Sequence, residues 1–150
     1  MEWIESLRDT VVGLDTAPLI YFIEEHPIWL PRLEPFFQAL DQGLFRAVTS
    51  TVTVTEVLVH PFRQSQNGLA AQYRQILLQA RNLTTMPVTA AIAEHAAELR
   101  AQYNLRTPDA IQLATAIYAK AGSFLTNDKE LSAPGSLRIV TLEGLRSAGT

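Results

Sequence analysis

Four acidic residues, distant along the chain, stand where predicted strands end or predicted helices begin. Asp15 and Asp128 each follow a short run typical of a buried strand. Asp109 opens a helix, and Glu56 lies in the first turns of the helix after the second strand. In an open parallel sheet, the carboxyl ends of the strands and the neighbouring helix starts line one crevice. We therefore expect the four carboxylates to converge on one side of a sheet.

Carboxylates gathered in this way favour a divalent cation as their partner. Like charges within a few ångströms raise one another's pKa and destabilise the fold. Mg²⁺ or Mn²⁺ prefers carboxylate oxygens and water, and keeps waters that phosphate oxygens can displace. One or two such ions could position and deprotonate a water against a phosphodiester. This chemistry needs no His, Cys or Ser nucleophile, and the sequence contains no convincing set of these.

Each acid also has a purely structural interpretation. Asp15 could cap the helix that follows it, and Glu56 could close a capping box with Thr53. Asp109 could favour the dipole of its helix, and Asp128 could fix a turn. Such a role explains any one of them, but four such roles at the same rim of a sheet would be a coincidence.

The elements that must position these acids alternate between short β-rich runs and longer helical ones. This alternation predicts an α/β domain with a central, mostly parallel five-stranded sheet. The predicted strands are 11–14, 45–49, 83–86, 123–126 and 137–142. The predicted helices are 18–25, 31–42, a segment through Val57 that Pro61 breaks, 66–81, 90–103 and one opened by Thr107.

Four segments carry a more specific pattern in their order and spacing. They are Leu14-Asp15-Thr16 with Ile20-Tyr21, Thr53-Val54-Thr55-Glu56, Arg106-Thr107-Pro108-Asp109-Ala110-Ile111-Gln112-Leu113-Ala114-Thr115-Ala116, and Phe124-Leu125-Thr126-Asn127-Asp128-Lys129. Together they resemble the PIN domain family, and more narrowly its small single-domain toxins of VapC type. The likeness runs from the first predicted strand to the fifth, and the third segment is its most specific part.

The resemblance implies a PIN-like α/β/α sandwich and a metal-dependent ribonuclease that hydrolyses RNA phosphodiester bonds. Asp15 and Asp109 would be the principal ligands of Mg²⁺ or Mn²⁺, while Glu56 and Asp128 would complete the acidic pocket directly or through water. Three further residues would support the site by hydrogen bonds: Thr16, Thr126 and Asn127. Such toxins are held inactive by a cognate antitoxin and are commonly homodimers.

Two cations beside the acids are candidates for contact with RNA phosphates. Arg106 stands three residues before Asp109, and Lys129 directly follows Asp128. An arginine fork suits a phosphate, but it suits a surface carboxylate equally well. Solvated or acid-paired side chains therefore remain open as interpretations of both residues.

An aromatic cluster lies in and before the second predicted long helix. Leu33, Phe36 and Phe37 follow Trp29 closely and carry much apolar surface for a small helix. We expect core packing for this cluster. The resemblance offers the alternative that an exposed patch here would meet the antitoxin or a second protomer.

Composition excludes several other classes of protein. With 150 residues and 47% hydrophobic content, we expect a single domain over residues 1–150. A net charge of −3 and a pI near 5.6 speak against a broadly basic surface for nucleic acid. The chain lacks cysteine, a long apolar stretch and a secretion signal, so we expect a cytoplasmic protein without membrane contact.

Neighbouring enzyme classes fit less well. A haloacid-dehalogenase-like phosphotransferase needs a second Asp two residues after Asp15, where Ala17 stands, and a receiver domain needs an acidic pair near the end of the first strand. No glycine-rich phosphate loop is present. His60 is expected to end a helix that Pro61 stops, and not to bind metal.

Two functions from different classes remain. The first is the metal-dependent ribonuclease, the enzyme that the resemblance implies. The alternative is a catalytically silent PIN-like module that only binds a protein or RNA. Acids at all four positions favour the enzyme, because a retired site would be free to lose such a costly cluster of charges.

Overall fold

The computed structural model describes residues 2–145, and its centre is a five-stranded sheet. The strands are β1 (Val11–Leu14), β2 (Arg46–Ser50), β3 (Leu83–Met86), β4 (Ser123–Thr126) and β5 (Arg138–Thr141). They lie in the order β3-β2-β1-β4-β5, and every neighbouring pair is parallel. The prediction of an α/β fold with a five-stranded, mostly parallel sheet is therefore confirmed.

The segment 2–145 contains seven α-helices and one short 3₁₀ turn at Leu142–Gly144. The helices are α1 (Glu2–Glu5), α2 (Thr16–Ile23), α3 (Leu30–Asp41), α4 (Thr51–Arg63), α5 (Asn67–Gln79), α6 (Ala90–Tyr103) and α7 (Thr107–Tyr118). All except α1 were expected from the sequence, with bounds that differ by a few residues.

The sheet separates two apolar cores because successive side chains of a strand point to opposite faces. Val12 and Leu14 of β1 join the core that helices α1 to α5 cover. Phe124 of β4 joins the core beneath α6 and α7, whereas its neighbour Leu125 belongs to the first core. The molecule is thus an α/β/α sandwich with helices on both faces of the sheet.

The prediction that Pro61 breaks its helix is wrong, because α4 continues to Arg63. A proline lacks the N–H that would bond to the carbonyl four residues earlier, so its position decides how much the helix loses. Pro61 is buried in the last turn, and backbone bonds from Gln64 N to His60 O and from Gln66 N to Pro61 O close the end of the helix. His60 accordingly lies within the last turn and does not end the helix.

The aromatic cluster in α3 packs into the core, as expected. Leu33 and Phe36 are fully buried and Phe37 is nearly so. Trp29 is half-buried, with the Arg32 guanidinium 5.2 Å above its ring. These residues therefore form no exposed apolar patch.

None of the helices between residues 2 and 145 has the length and apolar character that crossing a bilayer requires.

The order of the strands places a topological switch between β1 and β4. From β1 the chain moves outward through β2 to β3, and it then returns to the other side of β1 to form β4 and β5. In open α/β sheets, ligands bind outside the carboxyl ends of the strands at such a point. The residues that follow β1 and β4 are Asp15 and Asn127, so the predicted acidic rim lies at the switch.

Candidate active site

Asp15 is held by hydrogen bonds to both oxygens of its carboxylate. The backbone N–H of Thr16 donates to Oδ1 at 2.9 Å, so Asp15 caps α2. The hydroxyl of Thr126, the last residue of β4, donates to Oδ2 at 2.7 Å. The carboxylate is therefore fixed between the ends of the two strands that flank the switch point.

Glu56 reaches the same place from α4. Ser50 caps this helix by accepting from the backbone N–H of Val52, so α4 begins at Thr51. Glu56 therefore lies in the second turn, where Thr16 Oγ1 donates to its Oε1 at 2.7 Å. The alternative in which Glu56 closes a capping box with Thr53 is wrong, because Thr53 lies inside the helix.

Asp109 lies in the first turn of α7 and pairs with Arg106. The Arg106 Nε donates to Asp109 Oδ2 at 3.0 Å, and Nη2 donates to Oδ1 at 3.4 Å. The Arg106 side chain is 80% exposed and that of Asp109 only 15%, so the cation covers the acid from the solvent side. The hydrogen bond to Asp109 raises the pKa of the Arg106 guanidinium, which stays charged.

The turn after β4 carries the remaining predicted residues. Asp128 accepts from the backbone N–H of Glu130 at 2.9 Å, which is the turn-fixing role offered as an alternative, yet it also lines the cleft described below. The amide of Asn127 donates to the Tyr21 hydroxyl at 3.2 Å. Lys129 turns away to Glu143, with Nζ and Oε1 2.6 Å apart.

All four acids line one open cleft of about 480 Å³. The other lining residues are Thr16, Ala17, Ile20, Arg106 and Asn127. Burial raises the pKa of Asp15, and the charges of Asp109 and Glu56 raise it further, while the hydrogen bonds from Thr126 and Thr16 lower it. The net shift is upward, so the cleft opposes a negative charge on Asp15 unless a cation enters.

The acids share a cleft without forming a closed cage. Between residues 2 and 145, no three His, Cys, Asp or Glu side chains are grouped closely enough to hold an ion by themselves. The donor set still fits Mg²⁺ or Mn²⁺, because Mg²⁺ usually keeps several waters and takes only one or two carboxylates from the protein. The oxygens of Asp15 and Asp109 are of the hard type that these ions prefer.

A buried polar cluster beneath the cleft was not expected from the sequence. Gln112 of α7 lies against Ser50, Thr53 and Thr16, and all four residues are buried. The available signal was a glutamine among the apolar residues of α7, three positions after Asp109 and therefore on the same side of the helix.

Fold and site together define a class: a parallel α/β/α sandwich whose switch point carries carboxylates from separate segments. The PIN domain profile matches residues 12–136, and the chain belongs to the PIN domain family. PIN domains are generally nucleases. No curated protein is significantly similar to this sequence.

Several solved structures share the fold at low sequence identity. VapBC2 from Rickettsia felis, solved with a DNA fragment from its promoter, matches with a TM-score of 0.67 and 16% identity over 87% of this chain and 98% of that one. A toxin-antitoxin complex from Klebsiella pneumoniae matches with a TM-score of 0.65 and 24% identity, over 89% of this chain and 98% of that one. DNA-bound VapBC from Salmonella typhimurium matches with a TM-score of 0.64 and 18% identity, over 89% of this chain and 98% of that one.

Proposed function

We propose that this protein is a Mg²⁺- or Mn²⁺-dependent ribonuclease that hydrolyses RNA phosphodiester bonds. The observation that carries the proposal is the convergence of Asp15, Glu56, Asp109 and Asp128, from four separate segments, on one cleft at the switch point of the sheet. The fold does not require these four charges to stand together, since like charges brought close to one another destabilise it. Membership of the PIN family supports nuclease chemistry at this cleft.

The residues of the chain have distinct parts in this proposal. Asp15 and Asp109 would hold the ion, and Glu56 and Asp128 would hold its waters. When bound, the ion would activate a water and offset charge on the leaving oxygen. The Asp15 carboxylate would meet the ion in a single orientation, because the hydrogen bonds from Thr16 and Thr126 fix both of its oxygens.

Arg106 is the cation best placed to meet the substrate. It stands at the mouth of the cleft, and its guanidinium already binds an anion, the Asp109 carboxylate. A phosphate oxygen offers the same geometry to the same fork of donors. Exchange of Asp109 for a phosphate would release the acid toward the ion. Lys129, paired with Glu143, is the weaker candidate for an RNA contact.

Cleavage should depend on both the ion and the acids. Purified protein is expected to cut mixed RNA with Mg²⁺ or Mn²⁺ and to stop when chelator is added. Asp109→Asn should lower the rate at least about 100-fold, because a ligand is lost. Asp9→Asn is the matched control, since Asp9 is exposed and precedes the amino-terminal end of β1, whereas the cleft lies at the carboxyl ends of the strands. Full activity of Asp109→Asn, or absence of cleavage by the wild type with either ion, would favour the silent binding module.

We also propose that the protein is the toxin of a cytoplasmic toxin–antitoxin pair and forms a homodimer. The support is the shared fold of the toxin–antitoxin complexes from three organisms, each covered over 98% of its matched chain. Expression in its host should arrest growth, and the product of a neighbouring small reading frame should bind the protein and relieve the arrest. The toxin assignment would be wrong if expression left growth unchanged, or if the product of the neighbouring reading frame did not relieve the growth arrest. Light scattering on the purified protein checks the dimer.

A further inference from the structure

Five buried polar residues form a continuous network under the acidic cleft: Thr16, Thr49, Ser50, Thr53 and Gln112. Buried polar groups destabilise a fold unless they are hydrogen-bonded, so a network of this size in a small domain must be well satisfied. The network joins β2, α2, α4 and α7, the elements that carry or adjoin the cleft acids. Its hydrogen bonds can be followed donor by donor.

The orientation of the Gln112 amide is fixed at its oxygen. The backbone N–H of Ser50 can only donate, and it points to Gln112 Oε1 at 3.3 Å. The Ser50 hydroxyl accepts from Val52 N and so donates its own proton to the same Oε1 at 2.8 Å. Two donors on one atom identify that atom as the oxygen, and the amide nitrogen must face the other way.

The amide nitrogen then directs two threonine hydroxyls. Gln112 Nε2 donates to Thr53 Oγ1 at 2.6 Å and to Thr16 Oγ1 at 3.3 Å. With an N–H on its acceptor side, Thr16 sends its single proton to Glu56 Oε1 at 2.7 Å. Thr49 donates to Leu14 O at 2.9 Å, so the Thr53 proton goes to Thr49 or Thr16, 2.8 and 3.1 Å away. The protons of Ser50, Thr16, Thr49 and the Gln112 amide therefore each have one direction, and only the Thr53 proton has two possible acceptors.

We infer that Gln112 is a positioning residue for the acidic cleft: its amide holds the Thr16 hydroxyl as a donor, and that hydroxyl holds Glu56 at the cleft wall. Gln112 does not line the cleft, and it acts only through Thr16. The inference deepens the proposed function, because the effect on ion binding rests on Glu56 taking part in the acidic pocket. Without the amide, the Thr16 hydroxyl could turn, and Glu56 would lose its partner.

The first experiment measures the binding of Mn²⁺ alone by calorimetry, without RNA. Gln112→Met keeps the length of the side chain and removes its hydrogen bonds, and it should weaken Mn²⁺ binding about tenfold. Thr16→Val should have a similar effect, and Thr16→Ser, which keeps the hydroxyl, should restore binding. Thr115→Val is the matched control, since Thr115 is equally buried in α7 but bonds only to Ile111 O of its own helix. Wild-type affinity in folded Gln112→Met would overturn the inference.

The second experiment needs neither ion nor RNA. Urea unfolding of Gln112→Met, Glu56→Ala and the double variant should be non-additive by roughly threefold or more in the unfolding constant, because Thr16 couples the two sites. Additive changes in the free energy of unfolding would overturn the inference that Gln112 acts on Glu56 through Thr16, even if the wild type bound no Mn²⁺. Conversely, a wild-type protein that binds Mn²⁺ but cuts no RNA would overturn the proposed ribonuclease activity and would leave the positioning role of Gln112 intact.

Discussion

Asp15→Asn is expected to lower RNA cleavage at least about 100-fold and yet to raise the melting temperature of the metal-free protein. A negative charge on Asp15 is opposed in the cleft, because the side chain is half-buried and faces the charges of Asp109 and Glu56. Asparagine removes the charge and keeps an oxygen for the Thr16 N–H, while its amide can donate to the Thr126 hydroxyl. Relief of about 1 kcal/mol would raise the melting temperature by about 2–4 °C.

The size of this gain should depend on pH in a defined direction. Burial and the neighbouring acids raise the pKa of Asp15 in the folded state above its unfolded value. The folded state therefore binds the proton more tightly, and the stability that this gives is lost as pH rises through the folded pKa. Thermal unfolding in chelator between about pH 4 and pH 8 should show the advantage of Asp15→Asn growing toward neutral pH.

Two controls separate this explanation from a general gain in stability. Asp9→Asn also removes one carboxylate but lies away from the cleft, so it should show no growing advantage with pH. Addition of Mn²⁺ should stabilise the wild type by mass action and leave Asp15→Asn unchanged, which reverses their order. A metal-free Asp15→Asn protein that melts below the wild type at neutral pH would contradict this opposition to a negative charge on Asp15.

The strands and the rim of acids could be predicted because each depends on neighbours in sequence. The runs 11–14, 83–86 and 123–126 are bounded by turn residues, and the structure has strands with these limits. Asp15 follows its strand directly, so the end of the strand already fixes its place. A parallel sheet then brings the strand ends to one edge, whatever their order across the sheet.

Other features depend on packing that the sequence does not display. Pro61 signals the end of a helix, but its burial and its place in the last turn let α4 run on to Arg63. Gln112 reads as one polar residue on an apolar helix, and only the approach of Ser50 and Thr16 from other elements gives it partners. The sequence leaves open whether Arg106 pairs with an acid, contacts a phosphate or is solvated, and the structure shows the pairing with Asp109.

Gly13→Ala is expected to destabilise the fold by about 3 kcal/mol, which corresponds to a fall of roughly 6–12 °C in melting temperature. A Cβ at Gly13 would lie 2.7 Å from Ala116 Cβ and 2.7 Å from Phe124 Cδ1, closer than packed carbon atoms approach. Ala116 and Phe124 are both 1% exposed, so neither can move into free space. Alanine in place of glycine lowers the entropy of the unfolded chain, but that gain of about 0.4–1 kcal/mol is too small to offset the clash.

The same close contact holds β1 against α7, the elements that adjoin Asp15 and carry Asp109, the two acids proposed to hold the ion. β1 ends one residue before Asp15, and α7 carries both Asp109 and Ala116. We therefore expect a larger residue at Gly13 to push the two carboxylates apart. Gly13→Ala that still folds at low temperature should therefore bind Mn²⁺ more weakly than the wild type. Gly122→Ala is the control, because no atom lies within 4 Å of its added Cβ, and it should change neither property. A wild-type melting temperature for Gly13→Ala would mean that β1 and α7 can separate without loss, and the tight spacing would then not explain where the acids stand.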